Sequence, residues 1–213
     1  MYLNGRFFGK QQTIFFRFNF LAMERLEQEI IKRGKVLPGN ILKVGAFLNQ
    51  QMDVKLLSEM AKSVYERFCE KGVTKILTVE ASGIALAVLI AEKFGVDAVF
   101  AKKSKTANVE GGIYSAECYS FTHKKSNTLI VPEEYIGKED KVLIADDFLA
   151  NGEAIRALKS IVEQAGATLI GAAIGIEKGF QGGGDALRQE GVDVYSLAIV
   201  DKMEGGKIEF RKN

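Results

Sequence analysis

Lys75-Ile76-Leu77-Thr78-Val79-Glu80-Ala81-Ser82-Gly83, followed by the apolar run Ile84 to Phe94, Gly95 and Asp97-Ala98-Val99-Phe100-Ala101, decides the fold class. The first five residues are β-rich and the next four form a turn of small and polar residues. The apolar run is long enough for a helix, which Gly95 closes, and Asp97 to Ala101 reads as a second strand. Strands that are apolar throughout, rather than alternating, must be covered on both faces, and the intervening helices supply the cover. The expectation is an α/β chain with a doubly wound, mainly parallel sheet, whose sites lie at the carboxyl ends of its strands.

The second half repeats this logic. It reads as strand Lys141 to Ala145, loop Asp146 to Asn151, helix Glu153 to Gln164, strand Thr168 to Ile176, a short helix around Asp185 to Glu190, and strand Val192 to Val200. Between the halves, Lys102 to Gly112 is polar without an apolar period and reads as a mobile loop. Two strand-like segments follow, Tyr114 to Phe121 and Thr128 to Val131. Upstream, Met23 to Arg33 carries Leu26, Ile30 and Ile31 at helical spacing. Val36 to Asn40 reads as a turn and Ile41 to Val44 as a short strand. Asp53 is placed to cap a helix running to about Lys71, with Leu56, Leu57, Met60, Val64, Tyr65 and Phe68 inward.

The 213 residues suit one domain with a large core and room for a small appendage. With 29 Lys and Arg against 27 Asp and Glu, the net charge of +2 lacks the basic excess of a general nucleic-acid binder, so a small-molecule partner is expected. The two cysteines, Cys69 and Cys118, form no CxxC pair, so neither zinc nor a disulfide is expected, and a reducing cytoplasm is the default. Residues 1–22 hold six of the 14 Phe. Arg17 cuts their apolar run too short for a signal peptide or a membrane span, so they read as an extension outside the functional chain, with residues 23–213 as the working domain.

Chemistry concentrates in Val142-Leu143-Ile144-Ala145-Asp146-Asp147-Phe148-Leu149-Ala150-Asn151-Gly152-Glu153-Ala154. Amide groups from Ala150 to Ala154 and the helix start are suited to cradle a phosphate, with the helix dipole aiding. Asp146 and Asp147 could accept hydrogen bonds from a vicinal diol and help hold a hydrated Mg2+. Two neighbouring carboxylates repel each other unless a ligand or metal relieves them, which a merely capped turn would not explain.

This segment resembles the phosphoribosyl pyrophosphate (PRPP) signature of the type I phosphoribosyltransferases. Ile41-Leu42-Lys43-Val44, Phe47-Leu48-Asn49, Val79-Glu80-Ala81-Ser82-Gly83-Ile84, Tyr119-Ser120-Phe121-Thr122 and Ile176-Glu177-Lys178 extend the likeness to the bacterial xanthine phosphoribosyltransferases. The resemblance implies a parallel-sheet core, a small hood built partly from 36–52, a homodimer, and a pentosyltransferase of purine salvage. It would join PRPP to a 6-oxopurine base, giving XMP from xanthine, with Mg2+ held mainly through PRPP and water rather than by a protein cage.

The same resemblance implies roles residue by residue. Asp146 and Asp147 would address the ribose hydroxyls, and Ala150, Asn151, Gly152, Glu153 and Ala154 the 5′-phosphate. Glu80, Ala81, Ser82 and Gly83 would form the pyrophosphate loop, where Ala81 replaces the usual Ser and the family often has a cis non-proline peptide. Leu42, Asn49 and Lys178 would meet the base, and Lys102 and Lys103, with Lys105, could close over pyrophosphate. A strand-end lysine or a lysine run is otherwise commonly just solvated. His123 reads as exposed. A guanine, hypoxanthine or adenine enzyme remains open. So does a PRPP-sensing purine regulator, although residues 1–40 leave little space for its DNA-binding region.

Overall fold

The computed structural model describes residues 23–103, 111–120, 125–204 and 207–211. The expected extension 1–22, Lys105, Phe121, Thr122 and His123 lie outside them.

The chain opens with helix α1 (23–33), hairpin strands β1 (Lys35–Leu37) and β2 (Ile41–Lys43), a π-helical turn at Gly45–Asn49 and helix α2 (Val54–Phe68). Then come β3 (Lys75–Val79), α3 (Ile84–Phe94), β4 (Asp97–Ala101) and the antiparallel ribbon β5 (Ile113–Ser120) and β6 (Lys125–Pro132). The second half runs β7 (Lys141–Leu149), α4 (Glu153–Gln164), β8 (Thr168–Lys178), α5 (Gly183–Gln189), β9 (Val194–Glu204) and β10 (Lys207–Phe210).

The main sheet has the order β10-β9-β8-β7-β3-β4, parallel throughout except for β10 on the edge. The chain grows outward from β3 to β4 and, in the other direction, from β7 to β9. The switch of direction therefore falls between β3 and β7, the place at the strands' carboxyl ends where a doubly wound sheet takes its ligand. Along β7 successive side chains part to the two faces: Leu143 and Ala145 join the core under α1, α2 and α3, whereas Val142 and Ile144 join the core under α4 and β6. This is the doubly wound α/β arrangement expected from the uninterrupted apolar strands.

Several local expectations are corrected. Asp146 to Leu149 are strand and not loop, because β7 keeps pairing with β8 as far as Leu149 opposite Glu177. Val36 and Leu37 are strand, paired with Leu42 and Ile41, which confines the turn to Pro38, Gly39 and Asn40. Tyr65 is 38% exposed and packs edge-on against Phe94 at 4.9 Å, at the rim of the α2–α3 contact rather than in the core. Lys102 forms a bridge with Ile130 instead of starting a loop. The sequence reading had no strand at β10. The Asp53 cap is present, its carboxylate accepting from the Leu56 amide at 3.2 Å. Among the described residues no helix is long and apolar enough to cross a membrane.

Candidate active site

β3 pairs with β7 only as far as Leu77 opposite Ile144, so the two strands part below their ends. The turn after β3 (80–83) and the turn after β7 (150–152) both lie at the carboxyl ends of these neighbouring parallel strands. Asp146 and Asp147 lie between them on the extended end of β7, each only 5% exposed. The Asp147 amide donates to Asp146 Oδ1 at 2.9 Å. Asp147 Oδ1 accepts from Ser82 Oγ at 2.9 Å, and its Oδ2 accepts from Asn49 Nδ2 at 3.0 Å. One carboxylate thus joins the 80–83 turn, the end of β7 and the π-helical turn, segments far apart in sequence.

Burial, and secondarily the charge of Asp147, push the Asp146 carboxyl well above the ordinary range. Between the ordinary value, about 3.9, and the raised one, the folded chain binds more protons than the unfolded chain, so stability falls as pH rises through that window. Asp146→Asn keeps an oxygen for the Asp147 amide and removes the charge. It is expected to melt higher than the unmodified protein at about pH 8 and to lose that advantage at about pH 4, with about 2–4 °C for each kcal/mol relieved. Thermal melts without substrate at both pH values check this.

Gly83 is held by its surroundings: a Cβ there would come within 2.3 Å of Thr78 Oγ1 and 2.8 Å of Asp146 Oδ1. The peptide between Glu80 and Ala81 is cis. Glu80 Oε1 accepts from the Lys103 amide at 2.6 Å, tying this turn to the segment after β4. Lys102 and Lys103 are exposed, and the Lys103 charge acts favourably on Asp146.

Opposite, Gly152 takes a φ of 88°, a left-handed conformation open to glycine, and turns the chain from β7 into α4. No side chain caps α4, unlike α2. The first amides of α4, at Glu153, Ala154 and Ile155, therefore point outward without helical partners. Arg156 bonds the Asn151 carbonyl at 2.9 Å and fixes the turn from behind.

Lys178 ends β8. Its ammonium lies 5.8 Å from the Phe148 ring centre and donates to the Asn40 carbonyl at 3.3 Å, bridging the sheet to the β1–β2 hairpin. Burial lowers its pKa. Leu42 is buried in the core with Phe47 and Leu48 and pairs with Val36 in the hairpin. Arg33 anchors the turn carrying Asn49: it bonds the Ala46 carbonyl, lies 5.2 Å from the centre of the Phe47 ring and pairs with Asp53 at 2.9 Å.

Two features escaped the sequence reading. Glu177, wholly buried, is held by Arg188 at 3.0 and 2.7 Å and by Ser196 at 2.5 Å, one residue before Lys178. Its signal was an acid closing an unbroken apolar strand. Thr78 Oγ1, under Gly83, is a buried hydroxyl without a partner among the described residues, and nothing in the sequence marked it.

Comparison with known proteins gives the chain its place. Residues 43–195 match the phosphoribosyl transferase domain. The xanthine phosphoribosyltransferase of Ruminiclostridium cellulolyticum is 50% identical over 188 residues, 88% of this chain and 99% of that protein. That of Bifidobacterium adolescentis is 52% identical over 192 residues, 89% of this chain and 100% of that one. Among solved structures, the adenine phosphoribosyltransferase of Rhodothermus marinus shares the fold, with a TM-score of 0.68 and 24% identity over 84% of this chain and 99% of that chain. A strand-end acid doublet flanked by two turns at the switch point, together with half-identical relatives matched over nearly their whole length, shows that the chain belongs to the phosphoribosyltransferase family, among its xanthine phosphoribosyltransferases.

Proposed function

We propose that the protein transfers the 5-phosphoribosyl group of PRPP to N9 of xanthine, forming XMP and pyrophosphate, in purine salvage. The observation that carries this reading is the buried Asp146–Asp147 doublet set between the 80–83 turn and the uncapped start of α4. A buried Asp146 whose charge its neighbour disfavours suits a ligand offering paired hydroxyls and a cation. The α4 amides suit a phosphate.

In the reaction, N9 forms a bond to C1′ while the bond from C1′ to pyrophosphate breaks, its electron pair leaving with pyrophosphate and the imidazole proton of the base passing to solvent. Asp146 and Asp147 accept from the ribose hydroxyls and orient C1′. The amides of Ala150, Asn151, Gly152, Glu153 and Ala154 hold the 5′-phosphate. Those of Glu80, Ala81, Ser82 and Gly83 meet the leaving group, with Lys102 and Lys103 alongside. Leu42, through its backbone, and Asn49 border the base under a hood drawn from 36–52. Positioning of two substrates supplies most of the acceleration, with no covalent nucleophile.

The family generally uses Mg2+ with PRPP. Two adjacent acids at this strand end fit that cation, and they would face it through water. Bound there, Mg2+ supplies positive charge for the departing pyrophosphate. We place the whole activity in residues 23–213, working as a cytoplasmic homodimer on small molecules and not on nucleic acid or membranes.

Absorbance assays with PRPP, Mg2+ and each purine base in turn test the proposal. Consumption of xanthine supports it, turnover of guanine or hypoxanthine alone reassigns the base, and loss of no base favours PRPP sensing. Lys178 donates to O6 of an oxopurine, where the amino group of adenine would oppose donor to donor. Lys178→Ala is expected to raise KM for the base about tenfold to hundredfold, the range of one charged hydrogen bond, while leaving KM for PRPP little changed. Steady-state kinetics with each substrate varied check it.

A further inference from the structure

A loop of backbone amides holds an anion only while its peptides keep one orientation. In the turn after β7 the weakest point is the peptide between Asn151 and Gly152. Gly152, at a φ of 88°, has no Cβ to resist rotation, so this peptide is free to exchange its N–H and C=O ends unless something outside the turn stops it. Helix α5 (Gly183–Gln189) is that obstacle, although a helix and a strand separate it from the turn in sequence. Gly183, Leu187 and Glu190, the last being the residue that caps α5, recur at i, i+4 and i+7 and so share one face. A Cβ on buried Gly183 would come within 2.1 Å of the Ala150 carbonyl oxygen, 2.4 Å of the Asn151 carbonyl carbon and 2.7 Å of the Gly152 nitrogen, so only a bare Cα fits against this peptide. Leu187, fully buried, lies beside Gly152, where an added Cβ would meet its Cδ1 at 3.2 Å.

Glu190 acts through Arg156. Its carboxylate accepts from Arg156 Nε at 3.1 and 3.2 Å and from Nη2 at 2.7 Å, which aims Nη1 at the Asn151 carbonyl, 2.9 Å away. A trans peptide sets its N–H opposite its C=O, so this grip turns the Gly152 amide away from Arg156. The helix is itself anchored on its other sides: Asp185 accepts from Arg211 at 2.8 and 3.2 Å, and Arg188 pairs with buried Glu177 at 2.7 Å. None of the three residues facing the turn offers a phosphate a side-chain donor; one has no side chain, one is apolar and one is an acid that would repel it. Their contribution is therefore to the shape of the turn. We infer that Gly183 and Glu190 are positioning residues for the 5′-phosphate, together locking the Asn151–Gly152 peptide with its amide toward the anion. The inference rests on the proposed reading, in which 150–154 hold the 5′-phosphate of PRPP.

Ribose 5-phosphate and inorganic pyrophosphate divide PRPP between them, the first engaging 150–154 and the second 80–83. Equilibrium titration of the full chain with each, Mg2+ present, separates a fault in one turn from general loosening. Gly183→Ala is expected to weaken ribose 5-phosphate by at least about tenfold, the loss of one hydrogen bond to a charged group, and to leave pyrophosphate affinity unchanged. Glu190→Gln breaks a partly exposed ion pair, so its Tm should stay where it is. Arg156 then keeps its bond to Asn151 but loses its own anchor, and ribose 5-phosphate should bind about threefold to tenfold more weakly, again with pyrophosphate unaffected. Either variant binding ribose 5-phosphate as the unmodified protein does overturns the inference, and so does a parallel loss of both ligands. If Gly183→Ala does not fold, Glu190→Gln alone decides by the same outcomes. An unmodified protein that fails to bind ribose 5-phosphate would instead sink the functional reading itself.

Discussion

Asp147→Ala is expected to lower kcat/KM by about a thousandfold or more, the effect of losing roughly two hydrogen bonds to a charged group, each worth about 1.5–3 kcal/mol. The carboxylate of Asp147 meets Ser82 and Asn49 and, in the proposed reaction, a ribose hydroxyl. Its removal therefore loosens both flanking segments while depriving the ribose of an acceptor. Misfolding would give the same loss of rate, but the direction of the stability change separates the two. Asp147 raises the Asp146 pKa by its charge, so deleting that charge relieves a native-state cost. A variant that is inactive yet melts no lower than the unmodified protein in substrate-free buffer has lost chemistry and not fold. Near-normal steady-state kinetics would count against the site as drawn.

Arg188→Leu is expected to destabilise the protein by about 3 kcal/mol, the low end for breaking a buried ion pair, or on the order of 10 °C in Tm. Glu177 has no exposed side-chain surface, whereas the Arg188 side chain retains 31% of its own, so the burden falls on the carboxylate left behind. Ser196 would still donate to it, which keeps the loss from reaching the upper end of the range. Glu177 immediately precedes Lys178, and a Cβ on Gly184 at the start of α5 would lie 2.1 Å from its carboxylate. The variant should accordingly raise KM for the base as well. Thermal melts and base kinetics check both parts; an unchanged Tm would show that water already reaches Glu177.

The fold was legible because the parallel strands are apolar on both faces. Ile76, Leu77, Val142, Leu143 and Ile144 leave no polar side to solvate, and only covering helices satisfy that. β10 was not legible: Lys207, Ile208, Glu209 and Phe210 form a short edge strand, half in water, whose identity depends on pairing with β9. The doublet's chemical character was readable from adjacency alone, but its placement within a strand was not, since pairing of β7 with β8 overrides the local preference of Asp for turns. Least readable was the bond between Asn49 and Asp147, which joins residues 98 apart and needs the whole sheet to form first. The burial of Glu177 was not legible either, because the partners that hold it, Arg188 and Ser196, come from later elements.

The extension of β7 through Leu149 has one more consequence. Carboxylates on loops can wander as the loop opens, a motion that costs little. Here the backbone of Asp146 is locked to Ile174 and that of Phe148 to Ile176 inside a ladder that opens only when the sheet itself comes apart. The amide protons flanking the acids therefore belong with the slowest-exchanging in the molecule, and heat should disable the acids' geometry together with global melting rather than ahead of it.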